Sequence, residues 1–369
     1  MPYVLSEDEA LIQATVREFA ARHGLDAAAE ADRHDRFPVE AIQEALGLGL
    51  GSCADAGGPG ATAFALAIDE LAQVDANVAA SLVAHNAAVA AAQGTPFASR
   101  LAGGELAAVL VTEEAGGSDL LQPGTAAVPN GDGHGTKVTG QKVWALNAAA
   151  AKWFLLLAQA PGGPTLYAVP AATEGVSLSA NEPLLGLRAA GIRTVYLTAV
   201  RLGDDAVLGA PGEGTQRVAQ ARLWFQLGAA AALCGCVGGA LSAAARFAET
   251  RTQFGAPIGT YQAVSDGLTQ MDIQLAAARS LVLAAAARMD APDASVWTAR
   301  AKAFAAEMAV PMTRQAIRIQ GGTGFMREGG TERFARDVRA LQFVGETTHM
   351  QRDHLRRQLL PGIEYPPTP

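Results

Sequence analysis

Charge is scarce in this chain: Asp, Glu, Lys and Arg make up 17% of its 369 residues, and aromatic side chains only 6%. Disorder requires the opposite balance, few apolar groups and many charges, so the chain is expected to fold around a large core. Positive charge is in deficit, 28 Lys and Arg against 36 Asp and Glu, which argues against a nucleic-acid partner because a phosphate backbone needs a basic face. Cysteine is rare, and Cys53, Cys234 and Cys236 form neither a disulfide framework nor a metal-ligand pattern. Cys234-Gly-Cys236 lies in an apolar helix-like run and reads as buried structural thiols. The N-terminus lacks the basic start and unbroken apolar stretch of a signal peptide. Apolar runs such as Leu227 to Cys236 are short and diluted by Gly and Ala, so none is expected to span a bilayer. These absences point to a cytoplasmic protein with no nucleic-acid or membrane partner.

Half the residues are apolar, and the length suits two or three domains. Three textures follow one another. From Leu5 to about Leu106 apolar residues recur at helical spacing (Leu11, Val16, Phe19; then Phe64, Leu66, Ile68, Leu71, Val74), and Ser6 with Glu9 reads as a capping box. Asp55 to Gly60 breaks this region as a loop. From Ala107 to about Leu208 come short β-prone runs, Ala108–Thr112, Gly135–Val143, Trp153–Ala158, Thr165–Val169 and Arg193–Leu197, separated by Gly and Pro turns. They read as an antiparallel β domain. From Gly212 the helical period returns, broken at 255–259, 291–292 and 321–330, and suggests a four-helix bundle. The expected fold class is α+β: an N-terminal helical domain over 1–106, a middle β domain over 107–210 and a C-terminal helical bundle over 211–369.

Several segments carry candidate chemistry. Val111-Thr-Glu-Glu-Ala-Gly-Gly-Ser-Asp119 ends a strand with outward-turning backbone and hydroxyls, and its small residues allow close approach of a ligand. Gly140-Gln-Lys-Val-Trp-Ala-Leu-Asn147 places a rigid aromatic plane, Trp144, in a β context. Arg251-Thr-Gln-Phe-Gly255, followed by Gln262, offers a guanidinium fork suited to a pyrophosphate and an aromatic face. Ile319-Gln-Gly-Gly-Thr-Gly-Phe325, Glu332-Arg-Phe-Ala-Arg-Asp337 and Gly345-Glu-Thr-Thr-His-Met-Gln-Arg352 follow in the last region. Those glycines follow a helix and not a strand, so they are no Rossmann or phosphate-loop fingerprint. Glu332, Arg333, Arg336 and Asp337 read as structural ion pairs.

Taken in order, these segments resemble the T-E-x-x-x-G-S-D, G-x-K-x-W-I-T-N, R-x-x-F-G…Q and Q-x-x-G-G-x-G-[FY]…E-R-x-x-R-D…E-G-T-x-x-x-Q-R motifs of the acyl-CoA dehydrogenase superfamily, over nearly the whole chain. The resemblance implies an FAD-dependent dehydrogenase acting on an acyl-CoA or acyl carrier protein thioester. It also implies an electron acceptor, and a homodimer or homotetramer with FAD at a subunit interface. It assigns to the cofactor Val111, Thr112, Ser118, Trp144, Leu146, Arg251, Phe254, Gln262, Arg318, Gly321, Gly322, Thr347 and His349, and to the substrate Ser118 and Arg222. Two positions depart from the pattern: Leu146 stands where the family has a flavin-bonding Thr, and Arg318 where it has Gln.

The base is also displaced. Such a reaction needs a base for the α-proton, commonly a carboxylate. The family's Glu of E-G-T aligns with Gly345, Glu346 falls on the usual glycine, and Thr347 on the threonine. Other members place the base one residue before an arginine of the first bundle helix; Arg222 resembles that arginine, and Ala221 precedes it. Glu346 is therefore the expected base, with His349, Glu113 and Glu114 as further candidates, the two glutamates expected to be solvated. The displaced carboxylate resembles relatives that oxidise carrier-bound acyl groups in polyketide pathways, including a hydroxylated three-carbon group in hydroxymalonyl or methoxymalonyl extender-unit synthesis. A flavin monooxygenase on the same fold and a non-catalytic scaffold subunit stand as alternatives.

Overall fold

The computed structural model describes residues 4–117, 122–130 and 134–363. Helices α1 (Glu7–Arg33), α2 (Val39–Gly47), α3 (Gly60–Ala72), α4 (Ala76–Ala92) and α5 (Ala98–Ala102) come first. The Ser6–Glu9 capping box is formed in both directions and starts α1. Every residue of α4 is buried. Its sequence is mostly Ala and Val, as a helix surrounded by protein requires, and its polar residues Asn77, Ser81, His85 and Asn86 are buried as well. His85 within it is held neutral by burial, its pKa pushed down to about 4. Its Nε2 donates to the Leu101 carbonyl and its Nδ1 accepts from the Ala107 amide.

Strands β1 (Ala107–Leu110), β2 (Ala126–Pro129), β3 (Thr136–Ala145), β4 (Trp153–Ala160), β5 (Gly163–Pro170), β6 (Val176–Leu178) and β7 (Arg193–Leu202) form one sheet. It is not wholly antiparallel, as the turn-separated runs suggested. β1 pairs β4 in parallel, and β2 meets β4 in parallel at one rung, whereas the β2–β3, β3–β7, β4–β5 and β6–β7 pairs are antiparallel. β4 explains the arrangement. Phe154, Leu156 and Ala158 face one core inside the β region, while Leu155 and Leu157 face a second core shared with α4 and the helix after the sheet. A strand buried on both faces reads as a continuous apolar run.

The chain ends in α6 (Gly214–Thr250), the hairpin β8 (Thr252–Gln253) and β9 (Ala256–Pro257), then α7 (Gln262–Ala286), α8 (Ala294–Gln320), α9 (Gly322–Phe325), α10 (Thr331–Leu341) and α11 (Thr348–Leu359). Contrary to the sequence expectation, α6 is long and apolar enough to cross a membrane. Most of its apolar stretch is buried within the protein, because it lies against α3, α4, α7 and α8 at once. Glycine makes this proximity possible: a Cβ at Gly235 would lie 2.3 Å from the Asp69 carbonyl oxygen of α3. All three cysteines are buried, Cys234 and Cys236 in this helix, and burial pushes their thiols up, that of Cys53 to about 12. Glu332 and Arg336 are structural ion-pair residues as read from the sequence, and their network extends to Asp32 of α1. Asp337 accepts from the Leu187 amide, and Arg333 donates to the Val74 carbonyl.

Candidate active site

The site is built from the ends of the sheet and the helices packed behind it. Past β1, the Val111 carbonyl accepts from Lys142 Nζ, and the Thr112 carbonyl accepts from the Val143 amide. Lys142 is completely buried and pairs with Glu113 at 2.7 Å. Glu113 also accepts from the Gly124 and Thr125 amides. Burial opposes its charge, but the Lys142 and Thr125 bonds prevail and hold the carboxyl down at about 2. Glu113 is therefore a half-buried staple and not the solvated carboxylate expected from the sequence; Glu114 is exposed. The staple joins the loop after β1 to β3, where the ladder to β7 is irregular between Lys142 and Ala145. There Trp144 takes a left-handed φ of 55° and turns outward, 63% exposed. A core-packed tryptophan would be covered; this one presents its ring. Leu146 does not share that face, because its side chain is buried in the main core.

Further candidates lie on exposed bends. Arg251 caps α6 and is exposed. Phe254 sits at the tip of the β8–β9 hairpin with φ 51° and is 94% exposed, its ring edge-on to Tyr261 at 6.3 Å. Exposed Gln262 opens α7. Arg318 is exposed in the last turn of α8, Gly321 ends that helix at φ 60° with open space where a Cβ would point, and Gly322 follows. Thr347 caps α11, its hydroxyl accepting from the Met350 amide, and His349 is exposed in the first turn. Ser118 lies outside the described residues.

Arg222 and Glu346 are brought together. The Glu346 carboxylate, 14% exposed, accepts from Arg222 at 3.3 Å. Gln226, which carries no signal in the sequence, at 3.3 Å and Gln351 of the last motif at 3.2 Å complete its shell. Gln226 is oriented in turn by the Thr298 hydroxyl at 2.8 Å, and Gln351 also donates to the Gly345 carbonyl. Gly345 has φ 70° and Glu346 φ 77°. A Cβ on Gly345 would lie 2.8 Å from the Gln226 amide nitrogen, so this loop rests directly on the α6 backbone. Ala221 is buried one residue before Arg222. His354 Nε2 is buried beside this cluster without a hydrogen-bond partner among the described residues.

The residues suit FAD. An outward tryptophan plane fits a planar ring system, and an arginine with an aromatic on a projecting hairpin fits the pyrophosphate and adenine end.

Known proteins match the chain along nearly its whole length. The N-terminal, middle and C-terminal domain profiles of acyl-CoA dehydrogenase match residues 6–100, 108–200 and 212–360. The chain is 29% identical to the probable acyl-CoA dehydrogenase fadE25 of Mycobacterium leprae over 97% of both proteins. It is 30% identical to cyclohex-1-ene-1-carbonyl-CoA dehydrogenase of Geobacter metallireducens over 96% of this chain and 99% of that protein. Among solved structures, butyryl-CoA dehydrogenase from Megasphaera elsdenii superposes with a TM-score of 0.92 at 26% identity, covering 98% of this chain and all of that one. On these matches, the chain belongs to the acyl-CoA dehydrogenase family and is an FAD-dependent oxidoreductase of acyl thioesters.

Proposed function

We propose that Glu346 is the base of this enzyme and that its substrate is a short acyl thioester bearing a hydroxyl group, such as a three-carbon acyl unit on a carrier protein used for polyketide extender-unit synthesis. One observation carries the reading: Glu346 is the carboxylate enclosed by Arg222, Gln226 and Gln351 at the position next to the family's base. FAD, when bound, supplies the hydride acceptor. Glu346 takes the proton from the carbon next to the thioester carbonyl. Gln226 and Gln351 fix the carboxylate from behind, and Thr298 fixes Gln226. The half-exposed Arg222 keeps hydrogen-bonding capacity for a polar acyl substituent, which an alkyl chain could not use. Trp144 shields the reacting carbons from water.

Arg251, Phe254, Gln262, Arg318, Gly321 and Gly322 stand on exposed bends and support FAD binding across an interface between two copies of the chain, as a dimer or tetramer. The cytoplasm, with a soluble electron acceptor, is the setting that suits such an enzyme.

The test is anaerobic bleaching of the yellow holoenzyme by butyryl-CoA and by a glyceryl thioester, in wild type and in Glu346→Gln. Wild type is expected to bleach with the glyceryl thioester, and E346Q to keep FAD yet stay yellow. Full-rate bleaching of E346Q sinks the base assignment, bleaching by butyryl-CoA alone removes the hydroxylated substrate, and bleaching by neither overturns both.

A further inference from the structure

Behind Glu346 lies a second ionisable group. Lys302 of α8 is completely buried, and its Nζ donates to the Gln342 carbonyl at 3.0 Å, at the start of the loop that carries Gly345 and Glu346. Gln342 in turn donates from its side chain to the Ala306 carbonyl one turn further along α8, so the loop is tied to this helix at two points. Thr298, one turn earlier on α8, orients the Gln226 amide that bonds Glu346. The helix thus supports the carboxylate along three successive turns. No carboxylate lies within salt-bridge distance of Lys302 among the described residues. The charged and titratable groups around the pocket are Glu346 from the loop, Arg222 from α6, and His354 with Asp353 from α11. Of these, Glu346 alone acts appreciably on Lys302.

We propose that Lys302 is a positioning residue for Glu346: it anchors the loop that carries the carboxylate and sets the carboxylate's strength as a base through its own charge. The inference rests on Glu346 being the base. Burial lowers the Lys302 ammonium to about 7, against partial support from Glu346. Below that pH a buried cation stands near Glu346 and opposes the arrival of a further proton beside it. Above it the cation is gone, and transfer of the substrate's α-proton to Glu346 meets no such repulsion.

The experiment is the single-turnover rate of anaerobic flavin reduction from pH 6 to 8.5, with whichever of the two thioesters above bleaches the holoenzyme. In wild type the rate is expected to rise about three- to tenfold through pH 7. Lys302→Met, similar in volume and neutral, should run flat near the wild-type high-pH rate. Lys302→Arg, permanently charged, should run flat near the low-pH rate, and it serves as the test if K302M fails to fold. An independent readout is the stability of the apoprotein. Folding wild type must shed the Lys302 proton between about pH 7 and 10.4, so its stability should rise with pH relative to K302M across that window. A flat wild-type profile overturns the proposal, and so does an inflection that survives in either variant. If E346Q reduces flavin at full rate, the base assignment falls and this proposal with it. If E346Q is inactive while the profile is flat, Lys302 alone is excluded.

Discussion

Gly345→Ala asks why the carboxylate stands at 346 and not one residue earlier. Two penalties add in this variant. Gly345 has φ 70°, a left-handed conformation in which a Cβ crowds the following carbonyl and costs about 1–2 kcal/mol. The new Cβ would also sit 2.8 Å from the Gln226 nitrogen and 2.8 Å from the Phe225 carbonyl carbon. Both are backbone atoms inside α6 and cannot swing aside as a side-chain tip can. Overpacking of this kind costs about 1–3 kcal/mol. The sum is a destabilisation of about 2–5 kcal/mol. At about 2–4 °C per kcal/mol for a domain of a few hundred residues, Tm should fall by roughly 4–20 °C. Thermal unfolding is measured at one saturating FAD concentration, so that mass action does not differ between variants. The double swap G345E/E346G rebuilds a glutamate at the family's position and should be no more stable than G345A, because the clash begins at Cβ. Glu346→Gly supplies the contrast: it relieves a φ of 77° while giving up the bonds to Arg222, Gln226 and Gln351. A G345A protein whose Tm falls by less than about 1 °C refutes the packing argument and the explanation of the displaced carboxylate.

Lys142→Met should cost about 3–5 kcal/mol in urea unfolding, since it strands the Glu113 carboxylate beside the vacated cation site; a loss below about 1 kcal/mol would show that the pair is not closed. Glu113 has its carboxyl depressed from 4.5 to about 2. Its contribution is therefore present above about pH 4.5 and disappears as pH falls through 2, and an E113Q protein should lack that slope in acid titration. His85 is depressed from 6.5 to about 4. The unfolded chain binds that proton first, so stability should decline as pH falls from 6.5 towards 4, and a His85→Gln protein with an unchanged slope there would contradict it. Trp144→Ala and Arg251→Ala remove exposed side chains and should leave apoprotein stability within about 0.5 kcal/mol while FAD is lost on gel filtration. Full retention of FAD by both would remove these residues from the cofactor site.

Local chemistry was legible from the residues alone. The Ser6–Glu9 cap, the buried cysteines, and the positions of β1, β3, β4, β5 and β7 follow from side-chain periodicity, capping and turn residues, which act over a few neighbours. The segments that carry the family resemblance were legible for the same reason: each is a short string of fixed residue types. β2 and β6 were missed because Ala126–Pro129 and Val176–Leu178 are too short to show alternation; pairing with β3 and β7 makes them strands. The parallel β1–β4 contact was invisible too, since strand order is decided by long-range packing and not by the turns beside each strand.

The site divides in the same way. Arg222, Glu346 and Gln351 could be picked out at motif positions, but Gln226, Thr298 and Lys302 carry no local signal within their helices. They matter because α6, α8 and α11 converge on one loop. Glu113 looked solvated until the fold brought Lys142 against it, and the apolar run of α6 looked short and diluted by glycine until those glycines proved to be where neighbouring helices touch. Sequence determines what depends on spacing along the chain. The strength of a buried charge and the room for a Cβ depend on which distant atoms exclude water or fill space, and only the tertiary structure decides that.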